Sequence, residues 1–200
     1  AEQGGWFSYL KYPKKLGFKL ELAETDYGVI DLGDLRKKMQ NKNFCALIYA
    51  NPAGYFAAQP IKEIYDACKK NNCLVILDAS GSIGSELCNG EYADIIVGSF
   101  GKWKPVNLGY GGFLSAKEKK YFEAIKSNVI NFDEKYLPLL YEKLKNVKKR
   151  YNLFKKMNRR FFPAAFLAYL RQPCRQAGVH IIQSLPNEQR KRARDHRMGY

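Results

Sequence analysis

Residues 73–82 read Cys73-Leu74-Val75-Ile76-Leu77-Asp78-Ala79-Ser80-Gly81-Ser82. The apolar run Cys73 to Leu77 has the length of a strand and carries no polar residue. A strand without polar alternation is expected to be buried on both faces, as in a parallel sheet covered by crossover helices. An aspartate ends the run, and small residues follow it. In open sheets of this kind, ligands collect at the carboxyl ends of the strands. Asp78 therefore stands where a functional carboxylate is expected.

The same grammar repeats on either side. Upstream, Phe44 to Ala50 is a nearly continuous apolar run, broken by Asn51-Pro52-Ala53-Gly54. Between the two runs, Ile61, Ile64, Tyr65 and Cys68 follow Pro60 at helical spacing. Downstream, Asp94 to Gly98 reads as another strand and is followed by Ser99; Tyr110 to Ser115 reads as a last one after a glycine-rich turn. Nearer the start, residues 5–14 suit a short helix and Phe18 to Leu22 a strand. Thr25-Asp26-Tyr27-Gly28 suits a turn. Leu32, Leu35 and Met39 share a helix face that begins at Asp31. Strands alternating with helices predict an α/β fold: a mostly parallel sheet with helices on both faces, followed by helices. Residues 1–116 form this unit. Residues 117–160 turn helical, with Leu137, Leu140, Leu144, Val147, Tyr151 and Phe154 stepping by three or four. Residues 161–200 form a basic tail without periodicity, whose structure the sequence leaves open.

Composition narrows the function. A chain of 200 residues that is 46% hydrophobic suits one good core. No run of eighteen apolar residues occurs, so no membrane span is expected. The chain begins Ala-Glu-Gln-Gly-Gly, with no secretory leader and no Met, and reads as a fragment whose true start lies upstream. Five cysteines without a Cys-x-x-Cys pair, and two histidines confined to the tail, argue against a metal site or a disulfide framework. Reduced, buried thiols at Cys45 and Cys73 fit the cytoplasm. The net charge of +15 is concentrated after residue 150, where eleven lysines and arginines face only Glu188 and Asp195. The arginine cluster at 190–194 has few aromatics nearby, so a stacking platform for nucleic acid is not indicated. Neither a Gly-x-Gly-x-x-Gly turn, a P-loop nor a Gly-x-Ser-x-Gly elbow is present.

Three strand ends then form a pattern. Asn51-Pro52-Ala53-Gly54 follows one buried strand, and Asp78 ends the next, twenty-seven residues on. Ser99-Phe100-Gly101-Lys102 ends a later strand, and Gly109-Tyr110-Gly111-Gly112-Phe113 returns from it. Each piece alone is common, but their order and their placement on strand ends are specific. Together they resemble fold-type I pyridoxal-phosphate enzymes of the aspartate aminotransferase superfamily, of the class I/II or DegT/DnrJ/EryC1/StrS type, over residues 1–116.

The resemblance implies pyridoxal 5'-phosphate as cofactor and an aminotransferase activity. It implies Lys102 as the lysine that forms the internal aldimine and shuttles the α-proton, with Lys104 as its rival. Asp78 would pair with the ring nitrogen and Asn51 would donate to the phenolic oxygen. Ser99 would bind the phosphate, helped by the cation of Lys104; Trp6 would stack on the ring, and Ser80 would lie beside it. The partners implied are a small-molecule amino donor and acceptor, and a second copy of the chain in a homodimer. A pyridoxal-phosphate-dependent lyase or cysteine desulfurase-like enzyme is the alternative chemistry. A truncated, inactive domain that binds nucleic acid through its basic tail is the alternative of another class. The chain departs from the family at Gly81, where many relatives carry a hydrogen-bond donor. It also lacks a recognisable phosphate cup upstream of Trp6 and a small domain after residue 150.

Overall fold

The computed structural model describes residues 7–26, 28–53, 57–169 and 180–183, with side chains as far as Met157. Helix α1 (Phe7–Lys15) leads into strand β1 (Lys19–Leu22). A two-stranded ribbon, β2 (Thr25–Asp26) and β3 (Val29–Ile30), occupies the stretch read as a turn. Helix α2 (Leu32–Asn41) follows. Its N-cap is Asp31, whose carboxylate accepts from the amides of Gly33 at 2.7 Å and Asp34 at 3.1 Å, two donors with no partner inside the helix. Strand β4 (Phe44–Ala50), helix α3 (Ile61–Lys69) and strand β5 (Leu74–Asp78) form the strand–helix–strand unit that the apolar runs predicted. Strands β6 (Ile95–Ser99) and β7 (Gly112–Ala116), helix α4 (Lys119–Ile125) and the long helix α5 (Leu137–Tyr169) come next.

A last strand, β8 (His180–Gln183), rises from the stretch without periodicity. It inserts between β1 and β4 in a six-stranded sheet of order β1-β8-β4-β5-β6-β7. The pairs β4–β5 and β5–β6 are parallel, whereas β8 and β7 run against their neighbours. Strands β1, β4, β5 and β6 thus share one direction, so the sheet is mixed and mostly parallel.

The two faces of the sheet differ. Leu47 and Tyr49 of β4 and Val75 and Leu77 of β5 are fully buried against Leu35, Met39, Ile64 and Cys68 of α2 and α3. Each such aliphatic side chain contributes roughly 1.5–3 kcal/mol of transfer free energy. The alternate residues Ile48, Ala50, Ile76 and Asp78 are only half-buried. The sequence predicts helices on both faces, and helices α2 and α3 cover the first. Helix α1, which packs along β1 and β8, overhangs the second and leaves a cleft there.

A buried ion pair ties the sheet to its covering helix. Asp94, just before β6, accepts from the Val75 amide at 2.8 Å and from Lys69 Nζ at 2.7 Å. Burial pulls the Lys69 ammonium toward its neutral form, but the hydrogen bond and charge of Asp94 outweigh it, and its pKa stands raised. Helix α5 docks on a second cluster, where Leu140 and Val147 meet Ile83, Phe100 and Val106. Gly84 permits this contact. Its φ is +89°, and a Cβ there would stand 2.8 Å from a methyl carbon of Val147.

Candidate active site

The register of the sheet sets out the floor of the cleft. Ala50, Asp78, Val97 and Leu114 lie abreast on four neighbouring strands, and all four line the cleft. One row further down, Ile48 and Ile76 are paired and complete an apolar base. Tyr9, Tyr12 and Pro13 of α1 form one wall, and Val129 closes part of the rim. The open cleft has a volume of about 1010 Å³, at the upper end of the range of small-molecule sites. The cleft opens at the carboxyl ends of β4, β5 and β6, as the sheet rule requires.

Asp78 is the last residue of β5 and presents its carboxylate to this cleft. Oδ1 accepts from the Ser80 amide at 2.8 Å, and Oδ2 accepts from the hydroxyl of Tyr9. Tyr9 is buried at 6% exposure. Its phenol is pushed well above the usual tyrosine range, first by burial, then by the charge of Asp78 and the hydrogen bond to it. Ser80, also buried, accepts from the Ser99 amide at 2.8 Å through Oγ, which pins the end of β6 beside the turn after β5. Ser99 Oγ in turn accepts from the Gly101 amide at 3.0 Å. Ser80 and Ser99 both line the cleft.

The loop after β6 separates the two lysines. Phe100 and Val106 anchor it in the second cluster, and the Phe100 amide donates to Gly111 O at 3.0 Å. Between these anchors, Trp103 adopts a left-handed φ of 70°. Its amide is held by Asn107 Oδ1 at 3.1 Å. Trp103 is 87% exposed. Lys102 stands beside it, exposed and outside the cleft lining. Two residues later the chain has turned back, and Lys104, half-buried, lines the cleft with Asp78, Ser80 and Ser99. The Ser-x-x-Lys spacing pointed to Lys102; the cleft holds Lys104.

Asn51 also differs from expectation. It is fully buried and lies behind the cleft rather than on its surface. Its Nδ2 donates to Leu87 O at 3.1 Å and its Oδ1 accepts from the Gln59 amide at 3.1 Å. Its own amide donates to Asp78 O at 3.0 Å. Asn51 thus braces the strand end that carries Asp78, and its neighbours Pro52 and Ala53 face the cleft. Trp6 lies outside the described residues. Tyr9 was not singled out from the sequence. The only signal for it was its place in a short helix ahead of the first strand.

On the glycine-rich side the fit is close. A Cβ on Gly112 would stand 2.4 Å from Gly98 O, so only glycine lets β7 pair with β6 at this level. Among the described residues no group of three metal-ligating side chains occurs, and no helix is long and apolar enough to cross a membrane.

A family model for DegT/DnrJ/EryC1/StrS aminotransferases matches residues 17–132, more than half of the chain. The chain belongs to this family. No curated protein matches it. Among solved structures it is similar to a PLP-bound C-S lyase from Staphylococcus hominis, at 17% identity over 74% of this chain and 44% of that one, with a TM-score of 0.48. A serine palmitoyltransferase variant from S. paucimobilis with a bound PLP–myriocin aldimine gives 18% identity over 59% and 35%, with a TM-score of 0.47. Pyridoxamine-pyruvate aminotransferase from Mesorhizobium loti gives 14% identity over 66% and 39%, with a TM-score of 0.42. The chain spans less than half the length of each of these structures.

Proposed function

We propose that this chain is the cofactor-holding part of a pyridoxal-phosphate-dependent aminotransferase, with Lys104 as the amine that carries the cofactor and moves the substrate's α-proton. The observation that supports it is the convergence of Asp78 and Lys104 on one cleft at the strand ends. The donor set suits pyridoxal 5'-phosphate. It combines a carboxylate for the ring nitrogen, an amine for the aldehyde, and the hydroxyls of Ser80 and Ser99 for the phosphate side. The bound group supplies an electron sink for the electron pair left when a bond at the substrate's α-carbon breaks.

The residues of the chain do the rest. Asp78 holds the proton on the ring nitrogen, so that the sink stays effective. Lys104 would take the α-proton and return it two atoms away, on the carbon beyond the amino nitrogen, the proton movement that distinguishes amino-group transfer. Ser99 and Ser80 contribute hydroxyls where the ends of β5 and β6 are clamped together. Asn51 acts from behind, as a brace for Asp78. Lys102 is assigned to the outer surface of the loop. Trp6 is the proposed stacking residue. A small-molecule amino donor and acceptor, and a second copy of the chain, complete the reading. Family membership favours transamination over lyase or desulfurase chemistry.

The test uses purified protein loaded with pyridoxal 5'-phosphate, with L-glutamate and L-cysteine as probe donors. Aminotransfer is expected to release one 2-oxo acid per site without free ammonia or sulfide. Ammonia or sulfide in equal amount would overturn the assignment in favour of the lyase or desulfurase. Failure of the wild-type protein to take up the cofactor would overturn the reading as a whole.

A further inference from the structure

We propose that Tyr9 is a positioning residue for Asp78, fixing the carboxylate through a buried hydroxyl so that it meets the ring nitrogen of the cofactor in one orientation. The inference rests on the reading that Asp78 faces that nitrogen. Tyr9 is the one residue of α1 that is buried. It reaches across sixty-nine residues of sequence to the end of β5. The helix therefore does more than wall the cleft: it delivers a donor to the carboxylate on which the chemistry turns.

The carboxylate is held from two sides. Tyr9 supplies the hydroxyl to Oδ2, and the Ser80 amide supplies its N–H to Oδ1 at 2.8 Å. An ionised carboxylate offers about four lone-pair positions, so two remain for a ring N–H. Two donors on different oxygens fix the plane of the group, which a single donor would leave able to rotate. Asp78 flanks the cleft between Ala50 and Val97, neither of which can hydrogen-bond through its side chain. Burial keeps the Tyr9 phenol protonated through the neutral range, so it acts as a donor to Asp78 at every working pH. Hydrogen bonds to charged groups are worth more than neutral ones, and loss of the Tyr9 bond should be felt about tenfold in cofactor affinity.

A double-mutant cycle on the full chain tests this, with pyridoxal 5'-phosphate as the probe and its dissociation constant as the readout. Tyr9→Phe is expected to weaken binding about tenfold in the wild-type background. It should change binding less than twofold in an Asp78→Ala background, which leaves the hydroxyl no side-chain acceptor, because the residue acts through Asp78. An equal loss in both backgrounds would show a packing role only and overturn the proposal. A second measurement covers a Tyr9→Phe variant that does not fold: 3-fluorotyrosine at position 9, followed by fluorine resonance. The signal should move on Asp78→Asn and again on adding the cofactor. A signal indifferent to both, in a protein that binds the cofactor, would also overturn it. Wild-type protein that binds no cofactor while the signal still moves on Asp78→Asn refutes the functional reading and leaves the Tyr9–Asp78 coupling standing.

Discussion

Replacing either partner of the Lys69–Asp94 pair should destabilise the fold, but unequally, and the structure sets the order. Asp94 is 2% exposed, whereas the Lys69 side chain is 34% exposed. In Asp94→Asn the side-chain oxygen can still accept from the Val75 amide, and the ammonium of Lys69 can turn outward to water. That loss is about 1 kcal/mol, the worth of an ordinary hydrogen-bonded contact. In Lys69→Met the carboxylate stays buried with a single amide donor and no countercharge. Stranding a buried charge costs about 3 kcal/mol, the lower end of such cases, because the amide at 2.8 Å remains. At roughly 2–4 °C per kcal/mol for a chain of this size, the expected drops in Tm are about 3 °C and about 9 °C. Thermal and urea unfolding followed by circular dichroism measure both. An Asp94→Asn variant that loses as much as Lys69→Met would show that the unequal burial of the two partners does not set their contributions.

Three further outcomes are expected. Gly84→Ala should cost about 1–3 kcal/mol, because a left-handed φ and contact with Val147 both oppose a side chain, and limited proteolysis should then release α5 first. Asn51→Ala should lower stability by about 2 kcal/mol in urea unfolding, through the orphaned Gln59 amide and Leu87 carbonyl; an unchanged midpoint would count against the brace. Stability should fall on the alkaline side. Tyr9, Tyr49 and Lys69 all have raised pKa values in the folded state, so what they contribute is fully present below pH ~10 and is lost as the pH rises through their folded values. Unfolding free energy that stayed flat from pH 9 to 11 would contradict this.

Much of the architecture was legible in the chain. Apolar runs such as Phe44–Ala50 marked buried strands, and the spacing of Ile61, Ile64 and Cys68 marked a helix. The place of Asp78 at a strand end was legible, because the apolar run Cys73 to Leu77 stops at it. What was not legible depended on contacts between distant segments. Strand β8 is four residues long and is defined by pairing with β1 and β4, which no local pattern announces. The half-open face of the sheet reads as fully buried, because Ile48, Ile76 and Val97 are as apolar as the residues of the covered face. Which lysine lines the cleft depends on a loop with a left-handed residue, Trp103, whose amide the Asn107 side chain holds; spacing alone does not carry that information. Tyr9 meets Asp78 only once the helix is laid across the sheet.

The assignment of Lys104 as the cleft amine can be tested directly. Protein loaded with pyridoxal 5'-phosphate can be reduced with borohydride and digested, and the modified lysine located by mass spectrometry. The label is expected on Lys104, and should be lost in Lys104→Ala while Lys102→Ala keeps it. A label on Lys102, or one spread over surface lysines, would contradict it.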